Sequence, residues 1–130
     1  MMKLSEAILV GSALYPQGKG HIISGYMGKV SVCALGAALA AHGVVGEKDG
    51  VMFCPRYPLV QLGEIYPFLS GTDLCERVMT LNDDCHYSIN ELVEYVKEEE
   101  EKHPEWYAEN KENNGSALQT EQLETATVSG

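Results

Sequence analysis

Positive charge is scarce in this chain: nine Lys and Arg stand against nineteen Asp and Glu over 130 residues, a formal net charge of −10 with histidine neutral. Such a balance repels phosphate backbones and anionic lipid surfaces, so direct nucleic-acid binding and electrostatic docking on a membrane are disfavoured. Long apolar runs are missing too, and no window approaches the ~20 apolar residues that span a bilayer. The four cysteines, Cys33, Cys54, Cys75 and Cys85, form no C-x₂₋₄-C pair. The close ligand pairs of a structural zinc site are therefore absent, although Cys54, Cys75, Cys85 and His86 are all soft or imidazole donors. No metal and no cofactor is expected.

The acidity is unevenly placed. Residues 1–60 hold five Lys and Arg against three Asp and Glu, about +2, whereas residues 61–130 hold four against sixteen, about −12. A basic protein partner is compatible with that asymmetry. The N-terminal Met-Met-Lys-Leu-Ser-Glu-Ala-Ile-Leu-Val-Gly has a short apolar stretch but neither a long apolar region nor a cleavage site, so it is read as part of the fold. A cytoplasmic setting is expected, in which the four cysteines would stay reduced.

With 45% hydrophobic residues, the chain has enough apolar material for one core without disulfides or a metal. Ser5 is a candidate cap for a first helix running toward Tyr15-Pro16. His21–Ser24 and Lys29–Ser31 flank Gly25-Tyr-Met-Gly28 as the strands of a small hairpin. A second helix is expected over Val32–His42, with Ser31 as its cap and Gly43 as a left-handed stop. Gly46–Gly50 reads as a polar turn, Val51–Cys54 as a short apolar run, and Leu59–Ile65 as one or two helical turns between prolines.

Leu74, Cys75, Val78, Met79 and Leu81 recur at helical spacing behind Thr72 or Asp73, and Asn82-Asp-Asp84 ends that helix. Ser88 and Glu91 form a capping box ahead of the Ile89, Leu92, Val93, Val96 stripe, with Glu98–Glu101 on its solvent face and Pro104 at its end. Beyond Tyr107 the periodicity is lost and the composition is polar and acidic. The expected fold class is α+β and mainly α: a compact bundle of about four or five short helices with a small β-hairpin, one globular domain over 1–107, and a disordered acidic tail over 108–130.

The chemistry centres on Cys33, at the start of the small-residue run Cys-Ala-Leu-Gly-Ala-Ala-Leu-Ala-Ala. Helix N-terminal amides stabilise a thiolate, so Cys33 suits a nucleophile if His86 supplies a base and Asp84 orients it; His21 is a second candidate base. The competing reading makes Cys33 a small buried apolar residue on an alanine-rich helix, and cysteine is often buried. Asn82–His86 lacks the glycine and glutamate of a calcium loop, and Gly25–Lys29 lacks the spacing and hydroxyl of a phosphate loop. The glutamates from Glu98 to Glu101 read as a solvated helix face, with a surface aimed at a basic partner as the sharper alternative.

Leu4-Ser-Glu-Ala-Ile8 with Gly11 and Pro16-Gln17, then Cys33-Ala-Leu-Gly-Ala-Ala38, then Leu81-Asn-Asp-Asp84 and Ser88-x-x-Glu91-Leu-Val-x-Tyr-Val96, resembles a pattern of small bacterial and phage proteins without an assigned activity, over about residues 2–97. Where some members of that family carry Cys-Pro-x-Cys, this chain has Cys54-Pro-Arg-Tyr57. The resemblance implies a compact domain of phage or mobile-element origin and carries no catalytic residues with it. Taken together, these features favour a non-enzymatic accessory or interaction protein. The alternative is a cysteine-dependent hydrolase or transferase using Cys33, His86 and Asp84.

Overall fold

A computed structural model describes residues 2–26 and 29–108. The described residues form five α-helices and two separate two-stranded antiparallel sheets, the mainly α arrangement expected from the sequence. In chain order these are α1 (Leu4–Ser12), β1 (Ile23–Tyr26), β2 (Lys29–Val32), α2 (Ala34–Ala41), β3 (Gly46–Lys48), β4 (Val51–Phe53), α3 (Pro58–Ile65), α4 (Leu74–Asp83) and α5 (Ile89–Lys102). Short 3₁₀ turns follow α3 and α5, each opened by a proline at Pro67 and Pro104. The chain divides into two compact units, Met1–Glu98 and Glu99–Gly130. From residue 109 onward, the acidic tail lies outside the described residues.

In the first unit α2 is the hub. Every residue from Ala34 to Ala40 is buried, as befits a helix apolar all round. Its chief helical neighbours are α1, α4 and α3. The α1–α2 crossing depends on missing side chains: a Cβ on Gly11 would collide with the backbone carbonyl of Ala37. Gly36 makes the same allowance for the carbonyl of Ile22. Leu4, Ala7 and Ile8 of α1 are sealed against solvent beside this contact, together with Leu62, Tyr66, Leu74 and Val78 from the segments that follow. Gly43 ends α2 at φ +77°, the left-handed stop expected from the sequence.

Two of the three expected serine caps are displaced. In α1 the cap position is Lys3, whose backbone N–H donates to the Glu6 carboxylate at 2.9 Å, while Ser5 is buried inside the helix. Glu6 supplies the returning arm of the capping box and so fixes the start two residues ahead of Ser5. At α2, Val32 cannot be helical because its N–H donates to Pro16 and its carbonyl accepts from Gly18. The helix therefore begins at Ala34 with Cys33, not Ser31, in the extended cap position. Ser88 behaves as expected: its hydroxyl accepts the Glu91 N–H at 3.2 Å and its own N–H donates to Glu91 at 2.8 Å.

The first hairpin pairs Ile23 with Val32 through to Tyr26 with Lys29, leaving two residues between the strands rather than the four expected. A second hairpin replaces the expected polar turn at 46–50. β3 and β4 pair Gly46 with Phe53 and Lys48 with Val51 across Asp49 and Gly50, both at positive φ (54° and 80°). Two consecutive left-handed residues match the twist of a tight hairpin, and Asp-Gly is the dipeptide that supplies them. The N–H of Glu47 donates to the Tyr15 hydroxyl at 3.1 Å and anchors this hairpin to the chain beyond α1.

The second unit is described only over Glu99–Ala108. Its glutamates do not all face solvent: Glu99 and Glu100 are buried, whereas Glu101 is exposed. Lys102 reaches Glu99 at 3.2 Å, and the Tyr107 hydroxyl donates to Glu100 at 2.6 Å. Charge-assisted bonds of this kind offset the cost of withdrawing a carboxylate from water.

Gly11→Ala is expected to destabilise the protein by ~3 kcal/mol or more, at or beyond the upper end of ordinary overpacking costs. Gly63→Ala, in a helix with open space at the Cβ position, is expected to stabilise it by up to ~1 kcal/mol. Urea unfolding followed by circular dichroism measures both.

Candidate functional site

The backbone places Cys33 where a reactive thiol would need to be, at the cap of α2, yet its surroundings oppose ionisation. The side chain is 2% exposed. Burial pushes its pKa above the ordinary thiol value; the amides of Gly36 and Leu35 pull the other way without prevailing, and the Asp83 carboxylate adds to the rise. Cys75, on α4, is pushed up to about 11, first by burial and then by the nearness of Cys33. Both are therefore thiols, not thiolates, near neutral pH.

His86 and Asp84 do not join Cys33. Both are exposed in the turn between α4 and α5, where His86 adopts φ +58°, and no hydrogen bond or ion pair among the described residues links either to the thiol. His21 is exposed ahead of β1. Cys54 and Cys85 are exposed and Cys75 is half-buried. Among the described residues no three His, Cys, Asp or Glu side chains gather as metal ligands would.

What the Asn82–His86 segment does instead is structural. Asn82 is fully buried at the end of α4. Its Oδ1 accepts from Gln17 Nε2 at 2.8 Å, while its Nδ2 donates to the Gly18 carbonyl at 3.0 Å and to Asp83 Oδ1 at 2.7 Å. Asp83 also accepts the Gly20 N–H at 2.9 Å, Lys19 Nζ donates to the Asn82 carbonyl, and Gln17 reaches the Tyr87 carbonyl at 2.9 Å. The loop from Pro16 to Gly20 is thereby tied to the α4–α5 turn across more than sixty residues of sequence. The Leu-Asn-Asp block and Pro16-Gln17 of the sequence pattern meet in this network.

A surface feature missed in the sequence lies along α4 and α5. Glu76, Arg77, Thr80, Leu81 and Tyr95 line an open pocket of about 420 Å³. Tyr87, Asn90, Glu91, Glu94, Tyr95 and Glu98 line a second of about 450 Å³. Tyr95 belongs to both walls. Arg77, the cation of the first pocket, is committed within it: its Nε bonds Asp73 at 2.9 Å, its Nη1 donates to the Tyr95 hydroxyl at 2.6 Å, and its guanidinium carbon lies 5.8 Å from the Tyr95 ring centre. Four carboxylates, from Glu76, Glu91, Glu94 and Glu98, thus surround two tyrosines. The signal available in the sequence was the four-residue spacing of Glu91 and Tyr95 and the three- and four-residue spacing on to Glu94 and Glu98, which puts them on one face of α5, with Tyr87 just ahead of it.

Among the described residues no helix is long and apolar enough to cross a membrane. No family model, curated protein or solved structure matches the chain.

Two measurements check this geometry. In the native protein at pH 7.5, iodoacetamide is expected to modify Cys54 and Cys85 readily and to leave Cys33 and Cys75 unmodified, all four reacting in denaturant; mass spectrometry counts the adducts. Because the folded protein holds the Cys75 proton more tightly than the unfolded chain, that stability is full below pH 9 and declines as pH rises toward 11. Cys75→Ala should flatten the decline in urea titrations over that window. Separately, Asn82→Ala should cost about 2–3 kcal/mol, since it removes the partner of the Gly18 carbonyl and leaves the Gln17 amide with the Tyr87 carbonyl alone.

Proposed function

We propose that this protein is a non-enzymatic accessory protein of the cytoplasm, of phage or mobile-element origin, that docks a basic protein partner on its α4–α5 face. One observation carries the reading: four carboxylates gather around two adjoining open pockets on that face, and the one arginine there is already bound to Asp73 and Tyr95. A field of one sign draws an oppositely charged partner and speeds its encounter. The origin rests on the family resemblance, and the cytoplasmic setting on four free thiols.

The cysteine-dependent reading draws less support. A nucleophile requires a lowered pKa or a base within reach, and Cys33 is buried, with its pKa raised and no imidazole bonded to it.

The test uses the full chain and a variant carrying Glu76→Lys, Glu94→Lys and Glu98→Lys, immobilised in parallel against extract of the native host. A basic partner is expected on the wild-type chain, released as salt shortens the screening length from ~10 Å at 0.1 M to ~3 Å at 1 M, and absent from the triple variant. Cys33→Ala should bind as wild type. A partner held equally by the charge-reversed variant, or a turnover abolished by Cys33→Ala, would overturn the reading.

A further inference from the structure

The docking face contains a pocket with more defined chemistry than charge alone. Tyr87 precedes α5, while Asn90, Glu91, Glu94, Tyr95 and Glu98 recur along it at spacings that hold them on one stripe. The result is an open recess of about 450 Å³, within the ~300–1,000 Å³ range of small-ligand pockets. Its walls are two phenol rings, one amide and three carboxylates, with no cation among them. Glu91 is held in place by the Ser88 N–H, Glu94 makes only a long exposed pair with Lys97 at 3.9 Å, and Glu98 makes no ion pair among the described residues.

The chain itself shows what such walls accept. On the neighbouring side of Tyr95, Arg77 places its guanidinium against the ring, donates to the phenol oxygen and spends a second donor on a carboxylate. The recess beside it offers the same elements again: Tyr95, a second tyrosine in Tyr87, and carboxylates within the same stripe. A guanidinium suits that set better than an ammonium, because it is planar, stacks on aromatic faces and presents several donors in fixed directions.

Resting on the docking reading above, we propose that the recess walled by Tyr87 and Tyr95 is an arginine-binding pocket, taking the side chain of one arginine in a basic peptide segment of the partner. Carboxylates of Glu94 and Glu98 receive its N–H donors, and the tyrosine rings cover its faces. Charge complementarity brings the segment to the face, and the pocket distinguishes arginine from lysine.

The probe is a dye-labelled, acetylated and amidated peptide with four arginines at three- and four-residue spacing, titrated into the full chain by fluorescence anisotropy at 0.15 M salt. Matched peptides carry lysine or the uncharged isostere citrulline at the same positions. The arginine peptide is expected to bind about threefold to tenfold more tightly than the lysine peptide, and the citrulline peptide not to bind. Tyr95→Leu and Tyr87→Leu should each remove that preference, whereas Tyr95→Phe, which keeps the ring, should retain it. Two separate tyrosine variants keep the test decisive should one of them fail to fold, as its circular dichroism would show.

Equal binding of the arginine and lysine peptides, untouched by either leucine variant, would overturn the pocket and leave a diffuse acidic docking face. Failure of every peptide to bind while a basic host partner is still retained by the wild-type chain would also overturn the pocket alone. If that partner is retained by the charge-reversed variant as well, the docking reading falls with it.

Discussion

The carboxamide of Asn82 holds together parts of the chain that nothing local would bring together. It is buried, so every hydrogen bond it makes is formed in a setting where the alternative is an unsatisfied polar atom, not one solvated by water. Through Gln17 and Gly18 it fixes the loop after α1; that loop forms the single bridge to β2, and β2 runs directly into α2. Through Asp83 and Gln17 the same network sets the turn that launches α5. The direction of α5, and with it the placing of Tyr87 and Tyr95, is therefore coupled to the entrance of the central helix.

That central helix is built by subtraction. Alanines and Gly36 let α1 and the chain at Ile22 come within backbone distance, and Gly11 returns the concession from the other side. Close packing of this kind leaves Cys33 no room to be anything but a wall of the core, and the same desolvation that makes it a good packing residue makes it a poor nucleophile.

Much of this fold was legible in the chain. The Ser88–Glu91 box, the Gly43 stop and the periodicity from Leu74 to Leu81 depend on neighbours within one or two turns, and each element stands where its local pattern put it. Two serine caps failed, one to a distant partner and one to a near one: Val32 is claimed by a strand bridge to a loop fifteen residues earlier, and Glu6 reaches past Ser5 to Lys3, three residues away. The second hairpin carried its own signal in Asp49-Gly50, but β4 is exposed along all three residues and lacks the alternation that marks a half-buried strand. The tyrosine-lined recess was hidden because Tyr95 acquires its role from Arg77, eighteen residues away on another helix. Asn82 was likewise legible as a helix terminator and not as a buried anchor, since only the tertiary fold supplies Gln17 and Gly18.

The position of the single tryptophan matters for anyone following this protein in solution. Trp106 belongs to the second unit and stacks on the His103 imidazole with ring centres 4.5 Å apart and planes 15° from parallel. Its emission therefore includes a contribution from that stack within its own short segment. A change in that emission is therefore to be read against the His103–Trp106 stack before it is read as unfolding of the helices around α2.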